Sequence, residues 1–349
     1  MELAARIVSL ELAEPFTISR GTAEVVEVVN VELRHDGLSG FGEAAPIERY
    51  GESAESALAF VEEAAELLPD EPADYGASID RIAERPGEQA AKAGLDAALH
   101  DLWAKSRGEP VWRALGLERD GPPTSWTIWL GSPDDMACRA ERVRGRFKRL
   151  KLKLGGRDGD DVERVRAVRQ VAAVPLQVDV NEAWTLEEAL EALPQLAELG
   201  VEYCEQPLVA GDPAGPELKR HSPLPIFVDE DCHTRADVDE CAERAHGLTI
   251  KLAKSGGIAE ALAMVEAARQ RELGLMLGCM NESGLGIAAG AQIASLFDHV
   301  DLDGNLLLRH DPWPGVLFVD GVQLPSHEPG LGVRFAGSWG AAGARLRRA

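Results

Sequence analysis

Apolar positions along the chain follow two rhythms. Val25 to Leu33 (VVEVVNVEL) alternates and is rich in valine, the pattern of a half-buried strand. Phe41-Gly42-Glu43-Ala44-Ala45-Pro46 closes a second strand. Ser53 to Leu68 and Glu88 to Lys105 then place apolar residues at helical spacing, and Gly108-Glu109-Pro110 stops the second helix. Strands followed by helices, without alternation, predict an α+β module. From Thr124 the text becomes a repeated unit. Short apolar segments begin near Thr124, Leu150, Leu176, Val201, Ile226, Leu248, Leu275 and Val300, roughly 22–27 residues apart. That is about the length of one strand-plus-helix unit of a (β/α)8 barrel.

The intervening stretches carry helix-start signals. Ser132-Pro133-Asp134-Asp135 offers an N-cap, a proline at N1 and acids in the first turn. Thr185-Leu186-Glu187-Glu188 forms a capping box, and Gly200 closes the same helix. A doubly wound open sheet is the alternative, but no GxGxxG follows an early strand to support it. The tail after about Asn305 returns to Gly/Pro-rich strand text and is expected to pack back on the first module. The expected α/β organisation is an α+β capping domain over residues 1–120, joined by 306–349, and a (β/α)8-type barrel over 121–305.

Composition narrows the function classes. Thirty-six Lys+Arg face 59 Asp+Glu among 349 residues, a formal net charge of −23. A surface this acidic repels phosphate backbones and anionic lipids, so neither nucleic acid nor a membrane surface is an expected partner. The five cysteines form no CxxC pair and read as reduced thiols. The N-terminus lacks a long apolar run, and no later segment approaches the ~18 residues of a membrane span, so the expectation is a cytoplasmic protein.

Barrel enzymes carry their chemistry at strand C-termini, and nearly every later strand here ends in an ionisable residue. The second reads Leu150-Lys151-Leu152-Lys153-Leu154, whose lysines share one face. That face is the barrel interior, or else a solvated edge. The next three end in Asp179, Glu205 and Asp229. Each acid alone could cap a helix or pair with an arginine. Together, two unit charges 4 Å apart repel by about 4 kcal/mol at an effective dielectric near 20, so three acids need a cation or shared protons. Three oxygen ligands without Cys or His suit a hard ion, Mg2+ before Mn2+. The sixth strand gives Lys251 and Lys254; three apart on a strand, they face opposite sides, so only one of them can enter the site. The eighth ends in Asp301-Leu302-Asp303, two acids on one face.

The order KxK, Asp, Glu, Asp, Lys on successive strands resembles the muconate-lactonizing subgroup of the enolase superfamily. Ala98 to Lys105 with Gly108-Glu109-Pro110 looks like the end of that family's capping domain. Within the subgroup the chain most resembles the dipeptide epimerases, particularly the L-Ala-D/L-Glu epimerases of murein-peptide recycling. The matching segments are Pro15-Phe16 through Arg20-Gly21, Arg49-Tyr50-Gly51-Glu52-Ser53, Cys232-His233-Thr234-Arg235, Leu277-Gly278-Cys279-Met280 and Asp301-Leu302-Asp303-Gly304. The resemblance implies an isomerase that inverts the α-carbon of a dipeptide's C-terminal residue. Lys153 and Lys251 would be the two bases, crowding by Lys151 and by the metal would lower the pKa of the lysine that acts as base, and Lys254 would point away from the site as support. Asp179, Glu205 and Asp229 would hold Mg2+, and Asp301 and Asp303 the substrate's ammonium group. Arg20, Tyr50 and Met280 would complete the substrate pocket.

The same bases and acids also serve N-succinylamino-acid racemases, o-succinylbenzoate synthases and cycloisomerases, whose substrates have no clear use for Asp301-Leu302-Asp303. An idle Mg2+-barrel would be expected to have lost a base or ligand. Trp129, Asp231, Asn281 and Asn305 depart from the expected pattern near the pocket. A homo-oligomer stays open.

Overall fold

The structure, a computed structural model, describes residues 1–337 and 347–348. Three antiparallel strands, β1 (Glu2–Ile18), β2 (Gly21–His35) and β3 (Leu38–Ala44), form the N-terminal sheet. Alternate residues Val29, Val31 and Leu33 of β2 face one side and meet Leu95, Leu99 and Leu102 of a buried helix, Gln89–Ser106. Close approach of that helix to β3 requires glycine: a Cβ on Gly42 would lie 1.9 Å from the Gly94 carbonyl oxygen. Ser53 N-caps the helix Ala54–Glu63 with a capping box, where the sequence starts a helix. A further helix, Tyr75–Ala83, carries no clear sequence signal.

Eight parallel strands follow in spatial sequence order: β4 (Ser125–Ile128), β5 (Arg149–Lys153), β6 (Leu176–Asp179), β7 (Val201–Glu205), β8 (Ile226–Val228), β9 (Gly247–Lys251), β10 (Gly274–Gly278) and β11 (His299–Asp301). The ring closes through a parallel bridge between Thr124 and Val300, where the Leu302 amide donates to Thr124 Oγ1 at 2.8 Å. Outward residues such as Leu150 and Leu152 pack against Val165 and Val168 of the helix Asp161–Val171. Ser132 and Thr185 cap their helices as their sequence contexts predict.

Asp96 of the helix Gln89–Ser106 accepts the amides of Ile258 (2.6 Å) and Ala259 (3.3 Å). It thereby caps the barrel helix Ile258–Gln270 across the boundary between the two parts. The tail serves both parts. Trp313 Nε1 donates to Asn30 Oδ1 at 2.9 Å, and the Leu331 amide to Asp101 Oδ1 at 2.7 Å. A hairpin, β12 (Leu317–Val319) and β13 (Val322–Leu324), instead sits under the barrel, with Phe318 against Phe147 and the Gly321 carbonyl accepting from the Thr124 amide. Arg347–Arg348 pair along β1 at Glu2 and Leu3; the remaining expected tail, 338–346 and 349, lies outside the described residues.

Candidate active site

The barrel register aligns the polar strand ends. Lys153, Asp179 and Glu205 are direct partners across β5, β6 and β7, while Lys251, Gly278 and Asp301 are partners across β9, β10 and β11. Gly278 leaves room for the lysine beside it, since a Cβ there would stand 3.0 Å from Lys251 Cε. Both lysines of β5 point inward. Lys153 Nζ meets Asp179 Oδ2 at 2.6 Å. Lys151 Nζ, with the side chain 1% exposed, reaches Asp301 Oδ2 (2.8 Å), Glu205 Oε2 (2.7 Å) and Asp179 Oδ2 (3.4 Å). Across the barrel, Lys251 Nζ meets Asp229 Oδ2 at 2.7 Å. Asp303 accepts the Thr127 amide through Oδ2 at 2.6 Å, and Asp301 Oδ1 is buried without a partner.

A cavity of about 970 Å³ lies above these groups. Lys151, Lys153, Lys251, Asp301, Asp303, Met280 and Arg20 line it, with apolar walls from Phe16, Ile18, Val26 and Ile47. Arg20 reaches from the N-terminal sheet onto the barrel, where its Nη1 meets Glu230 Oε1 (2.8 Å), Glu182 Oε2 (3.1 Å) and the Asn181 carbonyl (3.1 Å). Arg49 holds Glu182 through both carboxylate oxygens. Tyr50 is half-buried beside these groups, edge-on to His233 with ring centroids 4.6 Å apart.

Charge explains the titration behaviour. Asp179, Glu205, Asp229, Glu230, Asp301 and Asp303 face Lys151, Lys153, Lys251, Lys254 and Arg20, leaving one acid in excess. Burial disfavours the Asp179 anion, but Lys153, Lys151 and Lys251 outweigh it and hold its pKa at about 2. Asp229 is likewise held below the usual carboxylate range by Lys251 and Lys254 against its burial. Burial and the neighbouring Asp179 charge push Glu205 up to about 7; burial with Asp229 does the same for Glu230, and burial with Asp301 for Asp303. Burial lowers Lys251, yet Asp229 and Glu205 raise it above its ordinary value. Lys151 lowers Lys251 in the expected sense, and the acids Asp229 and Glu205 outweigh it.

The three acids expected to converge on one ion meet ammonium groups instead. Among the described residues, no three His, Cys, Asp or Glu side chains stand close enough together to hold an ion as they are placed. The donor set still fits a hard divalent cation. All three are buried carboxylates, and Glu205 Oε1 receives no hydrogen bond while its Oε2 lies against the Lys151 ammonium. An acid raised to about 7 by burial and negative neighbours is short of positive charge.

Lys254 corrects the sequence reading. The strand ends at Lys251 and a helical turn, Leu252–Ser255, follows, so Lys254 comes round to Asp229 rather than away from it. Sequence reasoning also missed Glu230, Asn181 and Gln206. Gln206 Oε1 accepts the amides of both Asp229 (2.8 Å) and Glu230 (3.0 Å), fixing the turn that carries them. Asn181 and Gln206 occupy left-handed backbone conformations, at φ 49° and 37°, which strand periodicity does not signal. Asp231 is held by Arg244, Gln206 and the Gly211 amide, and Asn305 is tied to Gln323 and Asp311. Trp129 packs on Phe16 and under Arg139, whereas Asn281 lines the cavity.

Comparison with known proteins agrees with this geometry. Residues 2–116 match the family model "Mandelate racemase / muconate lactonizing enzyme, N-terminal domain", and residues 135–338 match "Enolase C-terminal domain-like". The chain is 38% identical over 341 residues to the hydrophobic dipeptide epimerase of Roseobacter litoralis, covering 95% of this chain and 98% of that protein. It is 35% identical over 332 residues to the L-Ala-D/L-Glu epimerase of Bacteroides thetaiotaomicron, covering 93% and 85% respectively. The crystal structure of a dipeptide epimerase from Cytophaga hutchinsonii, complexed with Mg and D-Ala-L-Val, superposes with a TM-score of 0.92 at 28% identity, covering 99% of this chain and 98% of that one. The chain belongs to the enolase superfamily, in its mandelate racemase/muconate lactonizing enzyme branch.

Proposed function

We propose that this protein is an isomerase that inverts the α-carbon of the C-terminal residue of a dipeptide, with L-Ala-L-Glu and L-Ala-D-Glu as the reference pair. One observation carries the reading. Lys153 on β5 and Lys251 on β9, four strands apart in the eight-strand ring, open on one cavity that Asp301 and Asp303 also line. Relatives named as dipeptide epimerases support the class of substrate.

Asp301 and Asp303 seat the dipeptide's α-ammonium group. The partnerless Asp301 Oδ1 is an acceptor that a substrate N–H satisfies. Asp179, Glu205 and Asp229 are the groups to hold Mg2+, with Mn2+ a substitute of the same hardness. The ion supplies fixed positive charge for the substrate carboxylate and for the negative charge that develops as the α-proton leaves. One lysine, in its neutral form, takes the α-proton from its face of the substrate; the other, as ammonium, returns a proton to the opposite face. The two exchange protonation states with each inversion, and the reverse reaction uses them in the opposite order. Lys151 stays charged between Asp301 and Glu205 and spaces the ammonium and metal ends of the site. Arg20 and Arg49 strap the N-terminal sheet to Glu182 and Glu230, covering the cavity. Met280 forms part of the wall around the epimerised residue, and Tyr50 stands behind it, edge-on to His233.

The reading places the enzyme in the cytoplasm, acting on peptide fragments such as those of murein recycling. Its five cysteines are all free, and no helix among the described residues is long and apolar enough to cross a membrane. The test is proton NMR of L-Ala-L-Glu and a panel of L-Ala-L-Xaa dipeptides with enzyme and Mg2+ in D2O. Loss of the second residue's α-proton signal with growth of the L,D diastereomer is expected. No exchange on any dipeptide, with exchange on N-succinylamino acids, would replace this reading by that of a racemase for acylated amino acids.

A further inference from the structure

The side chain of the epimerised residue has one direction open to it. Of the four groups on the α-carbon, the carboxylate belongs to the acids at the ends of β6, β7 and β8, and the nitrogen leads to Asp301 and Asp303 at the end of β11. The proton comes and goes between Lys153 and Lys251. The side chain is left to point out of the barrel mouth, towards the N-terminal sheet that covers the cavity. Phe16, Ile18, Val26 and Ile47 form the wall there, and its cations are Arg20 and Arg49.

Glu182 occupies both cations. Arg49 Nε and Nη2 donate to its two oxygens at 3.0 and 2.9 Å, and Arg20 Nη1 donates to Oε2 at 3.1 Å. The Ala210 amide donates to Oε1 at 3.0 Å and keeps the carboxylate in place. Arg20 also meets Glu230 Oε1 at 2.8 Å. Two arginines thus face two glutamates, and the three acids assigned to the metal are a separate set. Around the rim of the same cavity Glu24, Glu27, Glu48 and Glu55 are exposed and form no ion pair among the described residues. A carboxylate on the substrate's side chain would leave water for an apolar wall, two neutralised arginines and a rim of like charge. An aliphatic side chain gains from burial against the same wall.

We propose that Glu182 is a specificity-determining residue: by neutralising Arg20 and Arg49 it reserves the side-chain pocket for an uncharged, aliphatic residue at the epimerised position. The inference rests on the epimerase reading above and narrows it, making L-Ala-L-Glu the slow member of the dipeptide panel and L-Ala-L-Leu a fast one. A Glu182 that only strapped the sheet to the barrel would change all rates by one factor and leave their ratios alone.

The test uses the full chain with Mg2+ and compares kcat/KM for L-Ala-L-Leu, L-Ala-L-Gln, L-Ala-L-Glu and L-Ala-L-Lys, Gln having the shape of Glu without its charge. Wild type should favour both Leu and Gln over Glu, Leu by about 10-fold or more. Glu182→Gln keeps an acceptor for the arginines but leaves one positive charge uncompensated. It should raise the Glu-to-Leu ratio by about 10–100-fold, the worth of one charge-assisted hydrogen bond. Adding Arg20→Met to Glu182→Gln makes the cluster neutral again and should return the ratio to that of wild type. Wild type that turns over Glu as fast as Gln or Leu overturns the proposal, whether or not the variants fold. So does a Lys dipeptide faster than Leu, which would give the choice to the rim acids, a ratio that Glu182→Gln leaves unchanged, or a raised ratio that persists without Arg20. No exchange on any dipeptide would instead remove the epimerase reading itself.

Discussion

Replacing Lys151 by methionine removes the most heavily shared charge in the site while keeping most of the side-chain volume. The ammonium stands 2.8 Å from Asp301, 2.7 Å from Glu205 and 3.4 Å from Asp179, all inside a side chain 1% exposed. At an effective dielectric near 20, a pair 2.8 Å apart attracts by about 6 kcal/mol, most of which offsets the desolvation of the charges. Removing one partner of such a buried cluster leaves the acids uncompensated and costs about 3–5 kcal/mol. A chain of 349 residues has an unfolding entropy of about 0.7 kcal/mol/K, so the melting temperature should fall by about 4–7 °C. The sign of the pH effect is fixed. Glu205 has a folded pKa raised above its unfolded one, and losing Lys151 raises it further, so the deficit is full above the folded value and vanishes as pH falls below the unfolded one. Differential scanning calorimetry from pH 8 to pH 5, with EDTA present, should show the gap to wild type closing. A loss under about 1 °C, or one that does not change with pH, would refute the claim that Lys151 neutralises the site.

Three further outcomes follow from the same geometry. Glu43 accepts the Ser283 amide and the Asn30 side chain, and burial pushes it up to about 8, so its effect on stability is unfavourable above the usual glutamate range and grows until pH passes about 8. Glu43→Gln should therefore gain melting temperature relative to wild type between pH 5 and pH 8; a constant difference would show that Glu43 does not titrate in that window. Asp303→Ala should lower kcat/KM for dipeptides by about 10–100-fold, the worth of one charge-assisted hydrogen bond, and spare N-acylated amino acids; equal losses on both substrates would count against an ammonium site. Asp96→Ala removes the cap from the barrel helix Ile258–Gln270 and should cost about 1–2 kcal/mol, read as a fall of about 1.5–3 °C in melting temperature. An unchanged midpoint would mean that other groups hold the two parts together.

The fold was largely legible because each barrel unit announces itself. A buried strand of a few apolar residues, an ionisable end and a capped helix recur, and the Ser132 and Thr185 caps set helix starts to the residue. β1 was not legible. Arg6, Glu11 and Glu14 interrupt its apolar run, and its stability comes from pairing with β2 rather than from its own pattern. At the site, side-chain alternation sufficed to bring Lys151 and Lys153 inward, since period two holds along β5. The same rule misplaced Lys254, where the strand had already ended. Which ammonium meets which acid depends on barrel closure: Lys151 and Asp301 are 150 positions apart in sequence, and their contact has no local signature. Arg20 lines the cavity, and its engagement by Glu182 and Glu230 depends on the packing of the N-terminal sheet on the barrel, which no local pattern signals.

The central claim is that two lysines serve opposite faces of one α-carbon. The direct measurement is α-proton exchange into D2O by Lys153→Ala and Lys251→Ala, each with both diastereomers of the best dipeptide. The account predicts that neither variant inverts the centre, and that each exchanges one diastereomer only, the opposite one in the two variants. Inversion at the wild-type rate in either variant, or survival of the same diastereomer's exchange in both, would contradict it.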